Sequence, residues 1–245
     1  MRRIHLFTDF SYDGPYVGEM KSVSTRYIED ITCIDLMHDA PKFNPKASAY
    51  LLAALSQQFT KNDSCLAIVD PEVGSKQRRP VLIVADDIVY CGPDNGIFSV
   101  VIQKAKKVVC YEIAYKPESS SKTFHGRDLF APALARYLKN DIKGFNEIDR
   151  TSLVGNNWVG NLDEIIYFDG YGNAITGRRG DTITKDKTIV LNDFEIKSAE
   201  TFSAVGENEP FWYINSMGLV EIAINHGHTK TGLNLKIGQL ITIIC

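Results

Sequence analysis

Over the first ~150 residues, short runs of aliphatic and β-branched residues alternate with stretches whose apolar positions recur at helical spacing. Residues 4–7 and 31–36 read as strands, and Val17, Met20, Tyr27 and Ile28 between them mark one helical face. Asn44 followed by Pro45 forms an N-cap and first helical residue, after which Ala47, Leu51, Ala54 and Leu55 repeat at helical spacing. Strands at 66–69, 81–84, 88–90 and 107–112 follow, with helices at 95–103 and 133–138. Such alternation predicts an α/β layered domain with a largely parallel sheet.

Beyond ~155 the pattern changes. Short strands at 165–168, 174–176, 188–191, 194–197, 211–214, 219–224 and 240–244 are separated by Gly, Asn and Asp. This predicts a smaller antiparallel, β-barrel-like domain. Polar residues and glycines cluster over 140–159, so the expected domains are 1–155 and 156–245.

The 245 residues are 44% hydrophobic and 23% charged, globular values that exclude a disordered or collagenous chain. Lys+Arg 27 against Asp+Glu 30 gives a net charge of −3, against a broad nucleic-acid-binding face but compatible with an anionic pocket. No apolar run approaches the ~18 residues of a membrane span, and no secretory leader is evident, so a cytoplasmic protein without a membrane partner is expected. Five widely spaced cysteines without a CxxC pair read as reduced thiols, mostly buried.

In open α/β sheets ligands bind beyond the carboxyl ends of the strands. Thr8-Asp9-Phe10, Asp70-Pro71-Glu72-Val73-Gly74-Ser75 and Cys91-Gly92-Pro93-Asp94-Asn95-Gly96 each follow a predicted strand, and Thr123-Phe124-His125-Gly126-Arg127-Asp128 precedes a helix. Each alone has a structural explanation: Asp9 or Asp70 as a cap or turn former, Gly-Pro-Asp-Asn-Gly as a turn, His125 as a solvated loop residue.

In order, and joined by Asp13-Gly14, Val17-Gly18, Arg78-Arg79, Asp169-Gly170-Tyr171-Gly172-Asn173-Ala174-Ile175-Thr176 and Asn215-Ser216-Met217-Gly218-Leu219-Val220-Glu221, these segments resemble the S-adenosyl-L-methionine hydroxide adenosyltransferase family, relatives of the fluorinase and chlorinase enzymes. The resemblance runs over nearly the whole chain. It implies a hydrolase that splits S-adenosylmethionine into adenosine and methionine, with a water oriented by Asp70, Arg78 and His125. It further implies that Asp9 accepts from the ribose hydroxyls and that Phe43 lies near the sugar and adenine, with Asn95 a further substrate contact. Asp169 would pair with the methionine ammonium, Asn173 bond the adenine edge and Ser216 touch the methionine carboxylate. Phe43 has an alternative as a hydrophobic staple ahead of the helix, and the Asp169 segment as a hairpin turn.

The resemblance also implies a homotrimer, no cofactor, and a site drawing on both halves of the chain. Departures from the family pattern are Glu72 and Ser75 in place of Gly and Thr, Ser11 in place of a common Gly, and one extra residue before Arg78-Arg79. That insertion favours Arg78 over Arg79 and leaves both open, and Glu72, if it points inward, perturbs the site.

The residue types suit the chemistry independently. A neutral thioether leaving a sulfonium needs no general acid, whereas water needs a group to accept its proton and a collinear approach. Two readings compete. A metal-dependent hydrolase would use Asp9, Asp70, Asp94, His125 and Asp128 as ligands, but HxH, HxxxH and CxxC spacings are missing there and no metal site is expected. A non-catalytic binder of S-adenosylmethionine or a nucleoside would not need the Asp70, Arg78 and His125 set. Halide-using relatives lack the Asp and His, which makes water the expected nucleophile.

Overall fold

The computed structural model describes residues 2–115, 117 and 120–245. The chain divides into two compact units, Met1–Trp158 and Val159–Cys245.

In the first unit β1 (Arg2–Thr8), α1 (Tyr16–Tyr27), β2 (Ile31–Met37), α2 (Pro45–Leu55) and β3 (Asp63–Ile68) open the fold. They are followed by β4 (Pro80–Ala85), β5 (Ile88–Pro93), α3 (Ser99–Lys104), β6 (Val108–Ile113), a π turn at Gly126–Phe130 that runs into α4 (Ala131–Leu138), and β7 (Phe145–Ile148). The seven strands form one sheet in the order β2-β1-β3-β5-β4-β6-β7. Pairing is parallel from β2 through β5 and antiparallel from there to β7. β3 and β5 are buried along their whole length, as strands covered on both faces must be.

From β1 the chain crosses to β2 on one side, then returns past β1 to β3 on the other. Right-handed crossovers then put α1 and α2 on opposite faces. Packing agrees: Val17 and Met20 of α1 share one core cluster with Ala133 and Leu134 of α4, whereas α2 packs with α3. Residues 47–54 of α2 are buried all round, which its alanines and Ser48 permit. Its start is the expected cap: Asn44 Oδ1 accepts from the Ala47 N–H at 3.0 Å, with Pro45 next.

Two expectations shift. The helix read at 95–103 begins only at Ser99, because Asn95 Oδ1 accepts from the Ile97 N–H and holds a turn. The edge strand β7 carries too few apolar residues to show a period.

The second unit holds β8 (Leu162–Phe168), β9 (Ala174–Arg179), β10 (Thr188–Leu191), β11 (Phe194–Ile196), β12 (Pro210–Ile214), β13 (Leu219–Ile224), a short helix α5 (Thr229–Gly232) and β14 (Thr242–Ile244). One sheet runs β12-β13-β9-β8 and the other β11-β10-β14, every pair antiparallel. Single-residue bridges, Ser198 with Trp212 and Glu164 with Leu240, join the sheets at both ends. The result is a barrel-like ring with two thin seams. Ile165, Ile189, Trp212, Val220 and Ile222 fill its core from both sheets.

Gly92 shows how close β5 lies to β3: a Cβ there would stand 2.2 Å from the Ala67 carbonyl oxygen. Gly92→Ala must push the two central strands apart, and overpacking of this kind costs roughly 1–3 kcal/mol. The expected outcome is a lower urea midpoint with an unchanged far-ultraviolet spectrum.

Candidate active site

The reversal of strand order, with β2 laid on one side of β1 and β3 on the other, makes a switch point at the carboxyl ends of β1 and β3, where ligands of open α/β sheets bind. Asp9 leaves the end of β1, and Asp70 follows β3 by one residue. Asp70 meets Arg78 at 2.9 Å, with side chains only 4% and 1% exposed. The guanidinium continues to His125, Nη2 to Nδ1 2.6 Å, and its carbon lies 5.2 Å from the centre of the Phe130 ring. Gly74, at φ +82°, makes this convergence possible: a Cβ there would stand 2.6 Å from the Lys122 carbonyl, so only glycine lets the Asp70 loop lie on the segment leading to His125.

Arg79 points elsewhere. Its Nε and Nη2 both reach Asp94 Oδ2, at 2.9 and 2.6 Å, and Asp94 Oδ1 accepts from the Val154 N–H. Of the two arginines, Arg78 therefore joins Asp70 and His125, and Arg79 braces the loop after β5. Asp128 is likewise held by Arg127. Three carboxylates of the alternative metal set, Asp70, Asp94 and Asp128, are thus engaged by arginines, and among the described residues no group of three or more His, Cys, Asp or Glu is arranged to hold a metal ion.

The central trio is defined by desolvation. Burial pushes the Asp70 carboxyl up despite Arg78, pushes Arg78 down, and pushes His125 down, with the Arg78 charge adding to the last. The Asp70 carboxylate takes the Arg78 guanidinium at 2.9 Å and the Glu72 backbone N–H, while Arg78 Nε has no partner. A guanidinium only donates, so His125 Nδ1 is the acceptor, and the neutral ring carries its proton on Nε2. The cluster thus offers one N–H donor and a desolvated carboxylate with acceptor capacity left over. The Glu72 side chain is exposed rather than inward and acts on the pair as a nearby negative charge, while its backbone N–H donates to Asp70.

Asp9 is half-buried; its Oδ2 accepts from the Phe43 N–H at 3.1 Å, and burial pushes its carboxyl up. Phe43 sits at φ +56° with 75% of its surface exposed. That exposure rules out the staple, which requires the ring to pack on its own helix. Ser11, at φ +58°, occupies the left-handed region that glycine prefers. Asn95 gives its amide to the Val69 carbonyl at 2.8 Å and so holds the end of β3 beside Asp70.

The sequence reading missed His38, whose fully buried side chain bonds Thr8 Oγ1 at 2.8 Å and Asp35 Oδ1 at 3.0 Å. Phe10 N–H donates to the same Thr8 hydroxyl, so this chain fixes the loop bearing Asp9. The available signal was position alone, since His38 follows β2 as Asp9 follows β1.

The second unit contains a cavity of about 850 Å³, lined among others by Asp169, Asn173, Ser216, Tyr213, Asn215 and Glu221. All three residues expected from this half thus line one cavity. Asp169 Oδ1 accepts from the N–H groups of Tyr171 and Asn173, and Oδ2 from the Asn173 amide, so the hairpin-turn reading also holds. Ser216 is exposed in the turn between β12 and β13. Glu221, only 4% exposed, accepts from the Tyr213 hydroxyl and, at 2.7 Å, from the Asn215 amide. Although its segment was recognised in the sequence, nothing there marked it as a buried charge.

Comparison with known proteins converges on one family. The models described as SAM hydroxide adenosyltransferase N-terminal and C-terminal domains match residues 4–147 and 163–242. Proteins named (R)-S-adenosyl-L-methionine hydrolase are similar along their length: that of Methanocaldococcus jannaschii is 33% identical, covering 98% of this chain and 95% of the relative. That of Thermus thermophilus is 29% identical over all of both chains. A crystal structure of an uncharacterized conserved protein from Thermotoga maritima superposes with a TM-score of 0.86 at 27% identity, covering 99% of this chain and 100% of the other. With both of its domains matched and a full-length relative above 30% identity, the chain belongs to the SAM hydroxide adenosyltransferase family.

Proposed function

We propose that the protein hydrolyses S-adenosyl-L-methionine to adenosine and L-methionine by attack of water on the 5′ carbon. The observation that carries this reading is the desolvated Asp70–Arg78–His125 cluster, with carboxylate acceptor capacity left beside an imidazole N–H. The names of the full-length relatives support the same substrate.

One water suits the cluster. It donates to Asp70 and accepts from His125 Nε2–H, which points a lone pair away from the carboxylate. As the oxygen–carbon bond forms, the carbon–sulfur bond breaks and its electron pair stays on sulfur. Methionine leaves as a neutral thioether, and the water's proton passes to Asp70, whose raised proton affinity suits an acceptor. Arg78 keeps the carboxylate charged in a dry setting and holds His125 in its Nε2–H form. Attacking oxygen, carbon and sulfur must lie nearly in line, so binding groups supply much of the rate.

Asp9 accepts from the ribose hydroxyls, and the exposed Phe43 ring lies by the sugar and adenine. Asn95 acts through the main chain beside Asp70. Asp169 Oδ2 keeps room for the methionine ammonium, Asn173 bonds the adenine edge, and Ser216 the methionine carboxylate. In this reading the functional halves are 1–155 and 156–245, no cofactor takes part, and the protein is a cytoplasmic homotrimer acting on a small molecule.

Purified protein dialysed against EDTA and given S-adenosylmethionine in ¹⁸O-water is expected to yield equal amounts of methionine and adenosine, with one heavy oxygen at the 5′ position. S-adenosylhomocysteine, free adenine or unlabelled adenosine, read by mass spectrometry, would sink the reading.

Asp70→Asn removes the proton acceptor and is expected to lower kcat by 10²–10⁴-fold with little change in KM. In the unmodified protein kcat/KM should fall as pH drops through the raised Asp70 value, because the ionised carboxylate is the active form. That acid limb should vanish from the residual Asp70→Asn rate.

Asp9→Ala is expected to raise KM at nearly constant kcat, and His125→Ala to lower kcat with affinity nearly intact. Calorimetric binding beside steady-state rates separates the two, and equal effects on affinity alone would refute the assignment.

A further inference from the structure

Glu221 lines the cavity of the second unit, yet no role in the reaction accounts for it. It sits on β13, opposite Tyr213 of β12 and Ile175 of β9, in the middle of the four-stranded sheet. Both of its oxygens accept, one from the Tyr213 hydroxyl and one from the Asn215 amide, the pattern of an ionised carboxylate held by neutral donors. Its charge raises the proton affinity of the Tyr213 hydroxyl, which burial also favours.

Among the described residues lining this cavity there is no lysine or arginine. His226, the one imidazole there, is 77% exposed and faces Glu207 at 3.9 Å. The cavity therefore holds two carboxylates, Asp169 and Glu221, without a matching cation of its own. A buried anion without a counter-charge is costly, and a cationic ligand removes that cost.

We infer that Glu221 is a specificity-determining residue that selects ligands with a positive centre at the sulfur position, favouring the sulfonium of the substrate over a neutral thioether. This inference rests on the S-adenosylmethionine reading above. Under that reading the substrate carries two positive centres. Asp169 takes the ammonium, and Glu221 is the other carboxylate of this cavity, left to face the sulfonium. Because its oxygens are occupied by Tyr213 and Asn215, it acts through its field rather than by direct bonding. In a site shielded from bulk water, such a field changes affinity about tenfold or more.

The test compares sinefungin, which carries an amine cation in place of the sulfonium, with S-adenosylhomocysteine, which has a neutral sulfur. Neither undergoes the reaction, so both are read at equilibrium by calorimetry. The unmodified protein should bind sinefungin at least tenfold more tightly. Glu221→Gln should bring the two affinities within about twofold, with that for S-adenosylhomocysteine nearly unchanged. Tyr213→Phe, which removes a hydrogen bond but leaves the charge, should keep the preference and controls for a merely structural loss. An unchanged preference in Glu221→Gln, equal weakening of both ligands, or loss of the preference in Tyr213→Phe overturns the inference. Failure of the unmodified protein to bind either ligand would instead count against the S-adenosylmethionine reading itself.

Discussion

The buried Asp70–Arg78 pair sets the terms for the rest of the N-terminal unit. Removing both charges from water costs several kcal/mol, and their attraction offsets this only when geometry and surrounding hydrogen bonds are good. Here they are incomplete, since Arg78 Nε has no partner. Such a pair adds little to stability and persists because the scaffold holds it. The Gly74 loop resting on Lys122, the Asn95 amide on Val69 and the Phe130 ring beneath the guanidinium each restrain a different edge of it. A desolvated carboxylate with acceptor capacity to spare is poor structural material and good chemical material, because it can order a water and take a proton from it.

The neighbouring arginines show how one dipeptide serves both needs. Arg78 and Arg79, at the end of the loop leading into β4, take different targets. Arg78 turns into the buried cluster, while Arg79 binds Asp94 and the Ser152 carbonyl, tying the loops after β5 and β7 together. The second pair is a conventional brace with a well-bonded carboxylate. Its partner across the sheet's carboxyl edge, the Thr8–His38–Asp35 chain, does the same for the Asp9 loop.

How much of this was legible depended on whether a feature is local in sequence. The α/β alternation, the Asn44 cap and the change to short antiparallel strands near residue 155 follow from periodicity and turn chemistry, which neighbours in sequence decide. The ordered segments likewise revealed the family. The choice between Arg78 and Arg79 depended on a loop whose path is set by Gly74 against a backbone almost fifty residues away, which no spacing rule encodes. Phe43 looked equally like a staple because its position fits one; only its left-handed backbone turns the ring outward. The π turn at Gly126–Phe130, with His125 leading into it and Phe130 at its end, had no periodic signal because it inserts a residue into the helical count. Glu221 was hidden for a simpler reason: a glutamate in an apolar strand declares its burial only when its partners are known.

Hydrogen-bond direction at the Asp70 cluster also decides which nucleophile it favours. A desolvated carboxylate with lone pairs beyond those taken by Arg78 and the Glu72 N–H favours a species that brings hydrogens, and water brings two. A halide brings none. Seated there it would face the carboxylate as a like charge, with only the His125 N–H and the edge of Arg78 as compensation. Arg78 cannot serve as a halide cradle on its own, since its charge is already engaged by Asp70 at 2.9 Å. On the proposed assignment, selection of water over halide needs no steric filter in this cluster; it follows from the carboxylate's charge and its spare acceptor capacity. The same accounting explains why His125 must stay neutral. A protonated ring could not accept at Nδ1 from Arg78, so the hydrogen bond that positions Arg78 would be lost along with the donor geometry at Nε2.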